Sequence, residues 1–343
     1  MYDVPLSTLT TLRLGGPAKE LLEISDTDEL CSTVERLDAA GEAVLILGGG
    51  SNLVVGDAGF PGTVVRVATR GIAVEDDSSC AGVTVRVAAG ENWDAFVRHA
   101  IEQSWVGVEA LSGIPGLVGA APIQNVGAYG QEVENTLAQV RVWDRVDGQV
   151  RTFANADCGF GYRTSRFKRE PERYVVLEVV FQFRVGDLGA PVRYAELART
   201  LGTELDRRVP LVSMREAVLG LRRGKGMVLD PDDHDTWSAG SFFTNPILDA
   251  AHAANLPGDA PQWPAGEGLV KTSAAWLIEQ AGYVKGYGSG SVRLSSKHTL
   301  ALTNRGGAST EELLTLAREV RDGVHSAFGI DLVPEPVLVS ADL

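Results

Sequence analysis

Two glycine-rich segments constrain this chain more than any other feature of its sequence. The first, residues 48–52, reads Gly-Gly-Gly-Ser-Asn and directly follows the apolar run 44–47, which predicts a short buried strand. Successive glycines let the backbone bend tightly and expose its N–H groups, which can hold a phosphate or pyrophosphate. The spacing fits neither the Walker loop nor the Gly-x-Gly-x-x-Gly dinucleotide motif. A phosphate-binding loop and an ordinary hairpin turn therefore both stay open at this point.

The second segment, residues 113–130, is built largely from small residues. It begins Gly-Ile-Pro-Gly-Leu-Val-Gly-Ala-Ala-Pro and ends Gln-Asn-Val-Gly-Ala-Tyr-Gly. A backbone that lies flat against a planar cofactor needs such a stretch. The interspersed Ile114, Leu117, Val118, Ile123 and Val126 are too apolar for a solvated linker. The segment therefore predicts a cofactor-binding surface rather than a mobile loop.

Length and charge bound the class of protein. A chain of 343 residues predicts two or three domains. The net charge of -14 argues against a general nucleic-acid binder, whose surface is basic. No apolar run approaches the roughly 20 residues of a membrane helix, and Met1 to Thr11 lack the basic and apolar regions of a signal peptide. We therefore expect a cytoplasmic protein without a membrane partner.

Cysteine and histidine usage predicts no metal site. Cys31, Cys80 and Cys158 lie far apart, which favours buried structural thiols over a disulfide framework or a zinc site. The five histidines lack metal-ligand spacing.

The predicted elements mix helices and strands without strict alternation, which indicates an α+β fold in several domains. Apolar periodicity and caps predict helices over residues 28–40, 93–103, 211–221, 272–280 and 310–328. Apolar or alternating runs predict strands over residues 44–47, 53–55, 63–67, 83–87, 140–142, 174–183, 292–294, 299–302 and 332–339. The stretch 256–268 is rich in proline and glycine and predicts a loop.

Five motifs taken together resemble one family. They are Leu-Gly-Gly-Gly-Ser-Asn-Leu at 47–53, the second glycine segment at 113–130, Phe-Gly-Tyr-Arg-Thr-Ser at 160–165, Ala-Gly-Ser-Phe-Phe-Thr-Asn-Pro at 239–246 and Pro-Glu-Pro at 334–336. In order and approximate spacing they are similar, over nearly the whole chain, to the UDP-N-acetylenolpyruvoylglucosamine reductases.

The resemblance implies a three-domain α+β flavoenzyme with FAD-binding domains of the vanillyl-alcohol-oxidase (PCMH) type. FAD-binding domain 1 would span 1–69 and FAD-binding domain 2 would span 70–221, rejoined by the C-terminal strand 332–343, while 222–331 would bind the UDP-sugar. No histidine lies near 48–52, so FAD is expected to be non-covalent. The residues implied to contact FAD are Gly48, Gly49, Gly50, Ser51, Asn52, Gly113, Ile114, Pro115, Gly116, Gly119, Ala120, Asn125 and Gly127.

The family reaction implies three catalytic residues. NADPH reduces FAD, and the flavin then passes hydride to C3 of UDP-N-acetylglucosamine enolpyruvate, giving UDP-N-acetylmuramate for peptidoglycan synthesis. Ser241 matches the residue that protonates C2, and Arg163 and Glu335 match those that polarise the substrate carboxylate. The planar fork of arginine suits a carboxylate, and Glu335 has to be protonated, or shared with Arg163, to favour added negative charge. Taken without the resemblance, Ser241 could be an ordinary turn residue and Glu335 a solvated strand-end carboxylate.

Five further residues are implied to bind the substrate. Tyr194 resembles the mobile-loop tyrosine that covers the diphosphate in one subtype of the family. Lys225, in a basic patch, and Asn245 would contact the phosphates and the sugar. Lys271 and His298 fall in segments similar to the uridine-side pocket.

Two other functions remain open on the sequence. A flavin oxidase of the same superfamily would react with oxygen and would not need NADPH or a serine at position 241. A catalytically silent nucleotide-sugar sensor would be expected to lack Ser241, Arg163 or Glu335, and all three are present. No obligate protein partner is inferred.

Overall fold

The computed structural model describes residues 1–78 and 82–343. The helices are α1 (Thr27–Ala39), α2 (Trp93–Glu102), α3 (Arg166–Arg169), α4 (Ala195–Leu201), α5 (Leu211–Gly224), α6 (Ala250–Ala254), α7 (Ala274–Gln280) and α8 (Thr310–Phe328). Short 3-10 helices cover Leu6–Leu9, Glu109–Leu111, Val118–Ala120, Val133–Asn135, Asn155–Cys158 and His234–Thr236.

The strands run from β1 to β19 in chain order. They are β1 (Tyr2–Pro5), β2 (Pro17–Ile24), β3 (Val44–Leu47), β4 (Leu53–Val55), β5 (Phe60–Val67), β6 (Ile72–Asp76), β7 (Val83–Ala88), β8 (Trp105–Val106), β9 (Gly127–Ala128), β10 (Gln131–Glu132), β11 (Leu137–Asp144), β12 (Gln149–Ala154), β13 (Tyr174–Val185), β14 (Ile247–Asp249), β15 (Gln262–Pro264), β16 (Leu269–Thr272), β17 (Val292–Leu294), β18 (Leu302–Asn304) and β19 (Val337–Val339).

The described residues form two compact units. The first consists of Met1–Val4, Ala18–Gly49 and Pro61–Gly224, and the second of Pro5–Pro17, Gly50–Phe60 and Lys225–Leu343. The three-domain division at 69, 221 and 331 stays a prediction. We expected the C-terminal strand to rejoin residues 70–221, but β19 pairs in parallel with β4 inside the second unit. The amide of Gly56 closes this ladder by donating to the carbonyl oxygen of Val339 at 2.9 Å.

An antiparallel sheet and an aromatic core organise the first unit. The sheet has the order β12-β11-β13-β7-β6, and β8 also pairs with β13. Trp93 and Phe96 of α2 pack against Phe181 of β13, with the Phe96 and Phe181 ring centroids 5.0 Å apart. The side chain of Asn92 caps α2 by accepting from the amide of Ala95. The first turn of α2 is thereby fixed against the sheet.

A second sheet of mostly first-unit residues carries the first glycine segment. Its order is β1-β2-β5-β3, and β3 runs parallel to β5. The glycine segment begins at Gly48, where β3 ends.

Helix α8 is the longest element of the second unit, and the sequence predicted both of its ends. Ser309 and Glu312 form a reciprocal capping box, and Gly329 ends the helix with a φ of 66°. The carboxylate of Asp57 accepts the amides of Thr310 and Glu311 at 2.7 and 3.1 Å, where the helix dipole favours negative charge. The apolar stripe of α8 packs into a core with α7.

Most predicted elements are confirmed within a few residues, and four predictions near the C-terminal end of the chain were wrong. Residues 262–264, predicted as loop, form β15 because they pair with β16. Helix α7 begins at Ala274, since the Ser273 side chain caps it and Thr272 ends β16. The strand predicted over 299–302 begins only at Leu302, because the carbonyl of His298 accepts the amide of Ala301 in a turn.

The predicted strand 332–339 is shortened to β19, Val337–Val339. Pro334 and Pro336 lack amide protons and cannot donate to a ladder, which explains the late start.

The thiols follow the prediction where the structure describes them. Cys158 is fully buried, and burial raises the pKa of its thiol to about 12, so it is protonated and unreactive at neutral pH. Cys31 is a free, partly buried thiol, and Cys80 lies outside the described residues. Within 1–78 and 82–343, no helix combines the length and the apolar character that a membrane crossing requires.

Candidate active site

The two glycine-rich segments meet in the first unit. A Cβ atom on Gly49 would lie 2.7 Å from the Cα atom of Gly116. A Cβ atom on Gly48 would instead lie 3.8 Å from Leu117 Cδ1 and 3.9 Å from Ala120 Cβ, which are ordinary contact distances. Position 49 is therefore restricted to glycine by direct contact between two backbones.

The end of the first segment, Gly50 to Asn52, belongs to the second unit. Gly50 has a φ of 60°, and a Cβ atom there would lie 1.9 Å from the carbonyl oxygen of Leu9. The Asn52 side chain donates to the carbonyl oxygen of Glu335 at 3.3 Å, and the backbone carbonyl of Asn52 accepts the amide of Val337 at 2.9 Å. These bonds join the end of the first glycine segment to the start of β19.

The candidate FAD residues of the second segment divide into a buried set and an accessible set. Gly113 and Gly119 are buried, and a Cβ atom on Gly119 would lie 2.5 Å from Ala89 Cβ. The half-buried members are Ile114, Pro115, Gly116 and Ala120. A half-buried surface of backbone and small side chains fits FAD, because it admits a flat ring or a pyrophosphate close to the chain. The buried glycines shape that surface and the half-buried residues would touch the cofactor.

The buried side chain of Asn125 forms three hydrogen bonds within the fold. Its side chain is 0% exposed, and it donates to Glu132 Oε2 at 3.2 Å and to the carbonyl of Gly161 at 3.3 Å. Its Oδ1 accepts the amide of Glu134 at 3.1 Å. A residue engaged on three sides fits a role in holding the end of the second segment in place.

Arg163 lies against the backbone of the same segment. Its Nη2 donates to the carbonyl of Gly127 at 2.6 Å, and its Nη1 donates to the carbonyl of Asn125 at 3.4 Å. The residue has a φ of 52°, a left-handed conformation that costs energy for a side chain of this size. The surrounding contacts hold the guanidinium in one place despite that cost.

Glu132 is a carboxyl group near Arg163 whose pKa is raised. Burial, followed by a hydrogen bond and repulsion from Glu134, raises the pKa of Glu132, while Arg163 acts in the opposite direction. Ionisation of Glu132 is therefore less favourable than that of an ordinary glutamate.

Tyr194 belongs to a small aromatic and cationic group. It precedes α4, is 45% exposed, and packs edge-to-face on Tyr129 with ring centroids 5.4 Å apart. Burial raises the pKa of Tyr129 to about 12, with the nearby guanidinium of Arg222 acting against it. Burial likewise lowers the pKa of Arg222 to about 10. Arg222 is thus a buried guanidinium near the phenol of Tyr129, and arginine is a residue type that suits phosphate recognition.

Ser241 follows a glycine turn whose far side is firmly held. Gly240 has a φ of 74°, and its amide donates to the Ser238 hydroxyl at 3.2 Å. Phe242 and Phe243 are each 1% exposed, and the Phe242 amide donates to the carbonyl of Leu300 at 2.7 Å. Ser241 itself is only half-buried. The backbone on both sides of Ser241 is thus held by hydrogen bonds, and the two residues that follow it are buried in an apolar core.

Glu335 is brought to the Ser241 turn from the end of the chain. Its amide donates to the carbonyl of Phe242 at 2.8 Å, and Pro334 forms an antiparallel bridge with Phe243. Two of the three catalytic candidates are therefore neighbours in the second unit, with Asn52 beside them. Arg163 belongs to the first unit.

The remaining candidates lie at separate points of the second unit. Asn245 Oδ1 accepts the amide of Ala274 at the start of α7, and Lys271 lies opposite Ile247 in the adjoining strands, so these two candidates are neighbours. His298 lies in the turn that leads to Leu300 and hence to Phe242. Lys225 begins the last stretch of that unit, Lys225–Leu343.

Several polar residues of the first unit escaped the sequence reasoning. Asp94 accepts the amide of Gly113, Arg215 pairs with Asp94, and Glu109 is fully buried with three hydrogen-bond donors around it. Tyr129 and Arg222 were within reach, since one lies in the second glycine segment and the other starts the basic patch. Asp94, Arg215 and Glu109 give no local signal, because their partners are distant in sequence.

Comparison with known proteins covers nearly the whole chain. Residues 18–154 match an FAD binding domain, and residues 230–339 match the UDP-N-acetylenolpyruvoylglucosamine reductase C-terminal domain. The chain is 59% identical to the UDP-N-acetylenolpyruvoylglucosamine reductase of Cutibacterium acnes over 99% of its own length and 90% of the relative. It is 56% identical to the protein of that name from Streptomyces coelicolor, over 100% of this chain and 91% of the relative.

A solved structure agrees. The crystal structure of UDP-N-acetylenolpyruvylglucosamine reductase from Thermus caldophilus matches with a TM-score of 0.67 and 26% identity, over 98% of both chains. These matches confirm the α+β flavoenzyme fold expected from the five motifs. This chain belongs to the UDP-N-acetylenolpyruvoylglucosamine reductase family.

Proposed function

We propose that this protein reduces the enolpyruvyl ether of UDP-N-acetylglucosamine to the lactyl ether of UDP-N-acetylmuramate, with NADPH as the reductant and non-covalent FAD as the carrier. FAD, when bound, would supply the hydride chemistry that links NADPH oxidation to reduction of the enolpyruvyl group at C3. Membership of the family supports the reaction and both cofactors.

One observation supports the assignment most directly: the chain joins Ser241 and Glu335 through the Glu335 amide and the Phe242 carbonyl, 2.8 Å apart. The two residues are distant in sequence, and the bond holds their backbones together beside the buried Phe242 and Phe243 side chains. An acid and a carboxyl group held together in this way suit protonation of a carbon next to a carboxylate.

Ser241 supplies the proton to C2. A serine hydroxyl is a weak acid, so it can act only on a strongly basic carbon and from a fixed position. The positive φ of Gly240 and the two buried phenylalanines provide that fixed position. The resulting alkoxide regains its proton from solvent, which completes the addition of one hydride and one proton across the double bond.

Arg163 binds the substrate carboxylate and stabilises the negative charge that develops on it. Its guanidinium is held by the Gly127 carbonyl at 2.6 Å, so little reorganisation is needed when the charge appears. Glu335 assists as a protonated or hydrogen-bonded carboxyl that favours added negative charge.

The diphosphate and the sugar are bound by charge and by aromatic cover. Tyr194, half exposed and packed on Tyr129, would close over the diphosphate. Lys225 would supply a positive charge to the phosphates. Asn245, which accepts the amide at the start of α7, and Lys271 of the preceding strand β16 would contact the sugar and nucleotide side together with His298.

The two half-reactions separate these roles. Flavin reduction by NADPH and flavin oxidation by the enolpyruvyl sugar are followed anaerobically through the visible absorbance of oxidised flavin. The Ser241→Ala variant should be reduced by NADPH at a rate within about twofold of wild type. Its oxidation by substrate should be slowed about 10²- to 10⁴-fold, the usual loss when a general acid is removed. Ser289→Ala, an exposed serine of the same unit, is the matched control and should behave as wild type in both steps.

A different pattern would overturn the assignment. Equal losses in both half-reactions of Ser241→Ala would remove Ser241 from the donor role. Flavin colour that returns only on admission of oxygen would favour an oxidase of the same superfamily.

A further inference from the structure

The second glycine segment is anchored by a carboxylate that lies far from it in sequence. Asp94, the second residue of α2, accepts the amide of Gly113 through Oδ1 at 2.6 Å. Gly113 is buried and has a φ of 73°. A buried amide needs an acceptor from within the fold. A hydrogen bond to an ionised carboxylate is about twice as strong as one between neutral groups.

The same carboxylate is held by a second group. Arg215 of α5 forms a two-point pair with Asp94, with Nη1 to Oδ1 at 2.7 Å and Nη2 to Oδ2 at 2.8 Å. The arginine side chain is only 15% exposed. Burial alone would raise the pKa of Asp94, but hydrogen bonds from Arg215 and from the Gly113 amide outweigh it and lower the pKa. The carboxylate is therefore charged and oriented at neutral pH.

The start of α2 also holds the other end of the turn. The amide of Trp93 donates to the carbonyl of Gly116 at 3.1 Å, and the indole Nε1 of Trp93 donates to the carbonyl of Leu111 at 3.1 Å. Residues 111–116 are thus bonded to α2 at three places, and the bond from Gly113 to Asp94 is the charged one.

Helix α5 extends this anchor toward the group around Tyr194. Arg222 lies seven residues after Arg215, about two helical turns or ~10 Å further along the same face. Burial lowers the pKa of Arg222 to about 10, with Tyr129 and Asp94 near enough to oppose the change. Tyr129 in turn packs on Tyr194. One helix therefore connects the candidate FAD segment with the candidate diphosphate residues.

We propose that Asp94 and Arg215 are positioning residues, which lock the Gly113 turn to α5 so that the FAD surface and the residues around Tyr194 and Arg222 keep a fixed geometry. The proposal rests on the proposed function, since it takes residues 113–116 as part of the FAD surface. Without the pair, the Gly113 turn has to be ordered each time FAD binds, which weakens binding.

The test compares two similar ion pairs of the first unit. Asp38 and Arg145 also form a two-point pair, at 2.6 and 3.0 Å, with 15% exposure of the arginine, and they join α1 to the β11–β12 turn instead of a glycine segment. Asp94→Ala, Asp94→Asn, Arg215→Lys and the control Asp38→Ala are prepared as full-length protein. The dissociation constant of FAD for each apoprotein and the unfolding temperature without FAD are measured.

We expect Asp94→Ala to raise the dissociation constant of FAD about 10- to 100-fold, the range of a lost charge-assisted hydrogen bond. Asp94→Asn and Arg215→Lys should give smaller increases, since each keeps one of the contacts. Asp38→Ala should lower the unfolding temperature and leave FAD affinity within about twofold of wild type. In a substrate titration, Asp94→Asn should also alter the change in flavin absorbance that the enolpyruvyl sugar induces.

Two results would refute a positioning role for Asp94 and Arg215, and both differ from the result that would refute the proposed function. If all Asp94 and Arg215 variants bind FAD like Asp38→Ala, the pair serves stability alone and the proposal is wrong. If Asp94→Ala does not fold, wild-type FAD affinity in both Asp94→Asn and Arg215→Lys refutes it equally. A wild-type protein that binds no FAD would instead refute the proposed function.

Discussion

The buried carboxylate of Glu109 gives the sharpest prediction for stability. It is 0% exposed, Oε2 accepts the amide of Gly107 at 2.6 Å, and Oε1 accepts the amide of Ala190 at 2.6 Å and Gln131 Nε2 at 2.9 Å. All three donors are neutral N–H groups. In Glu109→Gln the amide oxygen can keep the two bonds of Oε1, but the new NH₂ group faces the donor of Gly107.

The magnitude follows from these contacts. One hydrogen bond to a charged group is lost, worth about 1.5–3 kcal/mol, and buried donors are left without acceptors, at about 1–3 kcal/mol. We expect Glu109→Gln to lower the free energy of unfolding by about 2–4 kcal/mol. With a urea dependence of about 1–3 kcal/mol per molar, the urea midpoint falls by roughly 1 M or more.

The assay is urea unfolding of the flavin-free protein, followed by tryptophan fluorescence. Glu102→Gln, an exposed glutamate of α2 with a loose pair to Arg98 at 3.9 Å, is the control and should change the midpoint very little. A loss of less than about 0.5 kcal/mol in Glu109→Gln would show that the carboxylate is not the acceptor described here. Because Ala190, which donates to Glu109, lies four residues before Tyr194, Glu109→Gln should also raise the KM for the enolpyruvyl sugar more than that for NADPH.

Three further predictions concern cofactor, acid and substrate. Gly49→Ala should abolish tight FAD binding, because its Cβ atom would lie 2.7 Å from the Cα atom of Gly116, whereas Gly186→Ala, with open space around it, should bind FAD like wild type in the same titration. The lowered pKa of Asp94 means that its contribution to stability is complete above its ordinary value of 3.8 and is lost as pH falls through the folded value. Acid unfolding curves should therefore be less steep below about pH 4 for Asp94→Asn, and an unchanged acid limb would contradict the pairing. Lys225→Ala should weaken substrate binding more than NADPH-driven flavin reduction, and the reverse ranking in the two half-reactions would remove Lys225 from the phosphate site.

Local signals in the sequence predicted the elements well. The helix predicted over 310–328 coincides with α8, whose start is capped by Ser309, and Asn92 caps the start of α2. Strand β15 was missed because the prolines and glycines of 256–268 indicate a loop, whereas the strand is ordered by pairing with β16. Pairing between strands depends on partners elsewhere in the chain, which no short window contains.

The candidate site was predictable only where its residues lie in recognisable motifs. Ser241 and Glu335 could be proposed from their motifs, and the structure adds the bond that joins their segments. Asp94, Arg215 and Glu109 could not be found, since an isolated acidic or basic residue in a helix looks like a solvated surface charge. Their roles depend on burial and on partners up to 121 positions away.

The most direct test of the proposed function is one anaerobic experiment on the wild-type protein. The FAD-loaded protein is reduced with NADPH, and UDP-N-acetylglucosamine enolpyruvate is then added while the visible flavin absorbance is recorded. We predict that the absorbance bleaches with NADPH and returns in full, without oxygen, in proportion to the UDP-N-acetylmuramate formed. Bleaching that the enolpyruvyl sugar fails to reverse, with colour returning only in air, would contradict the proposed reaction.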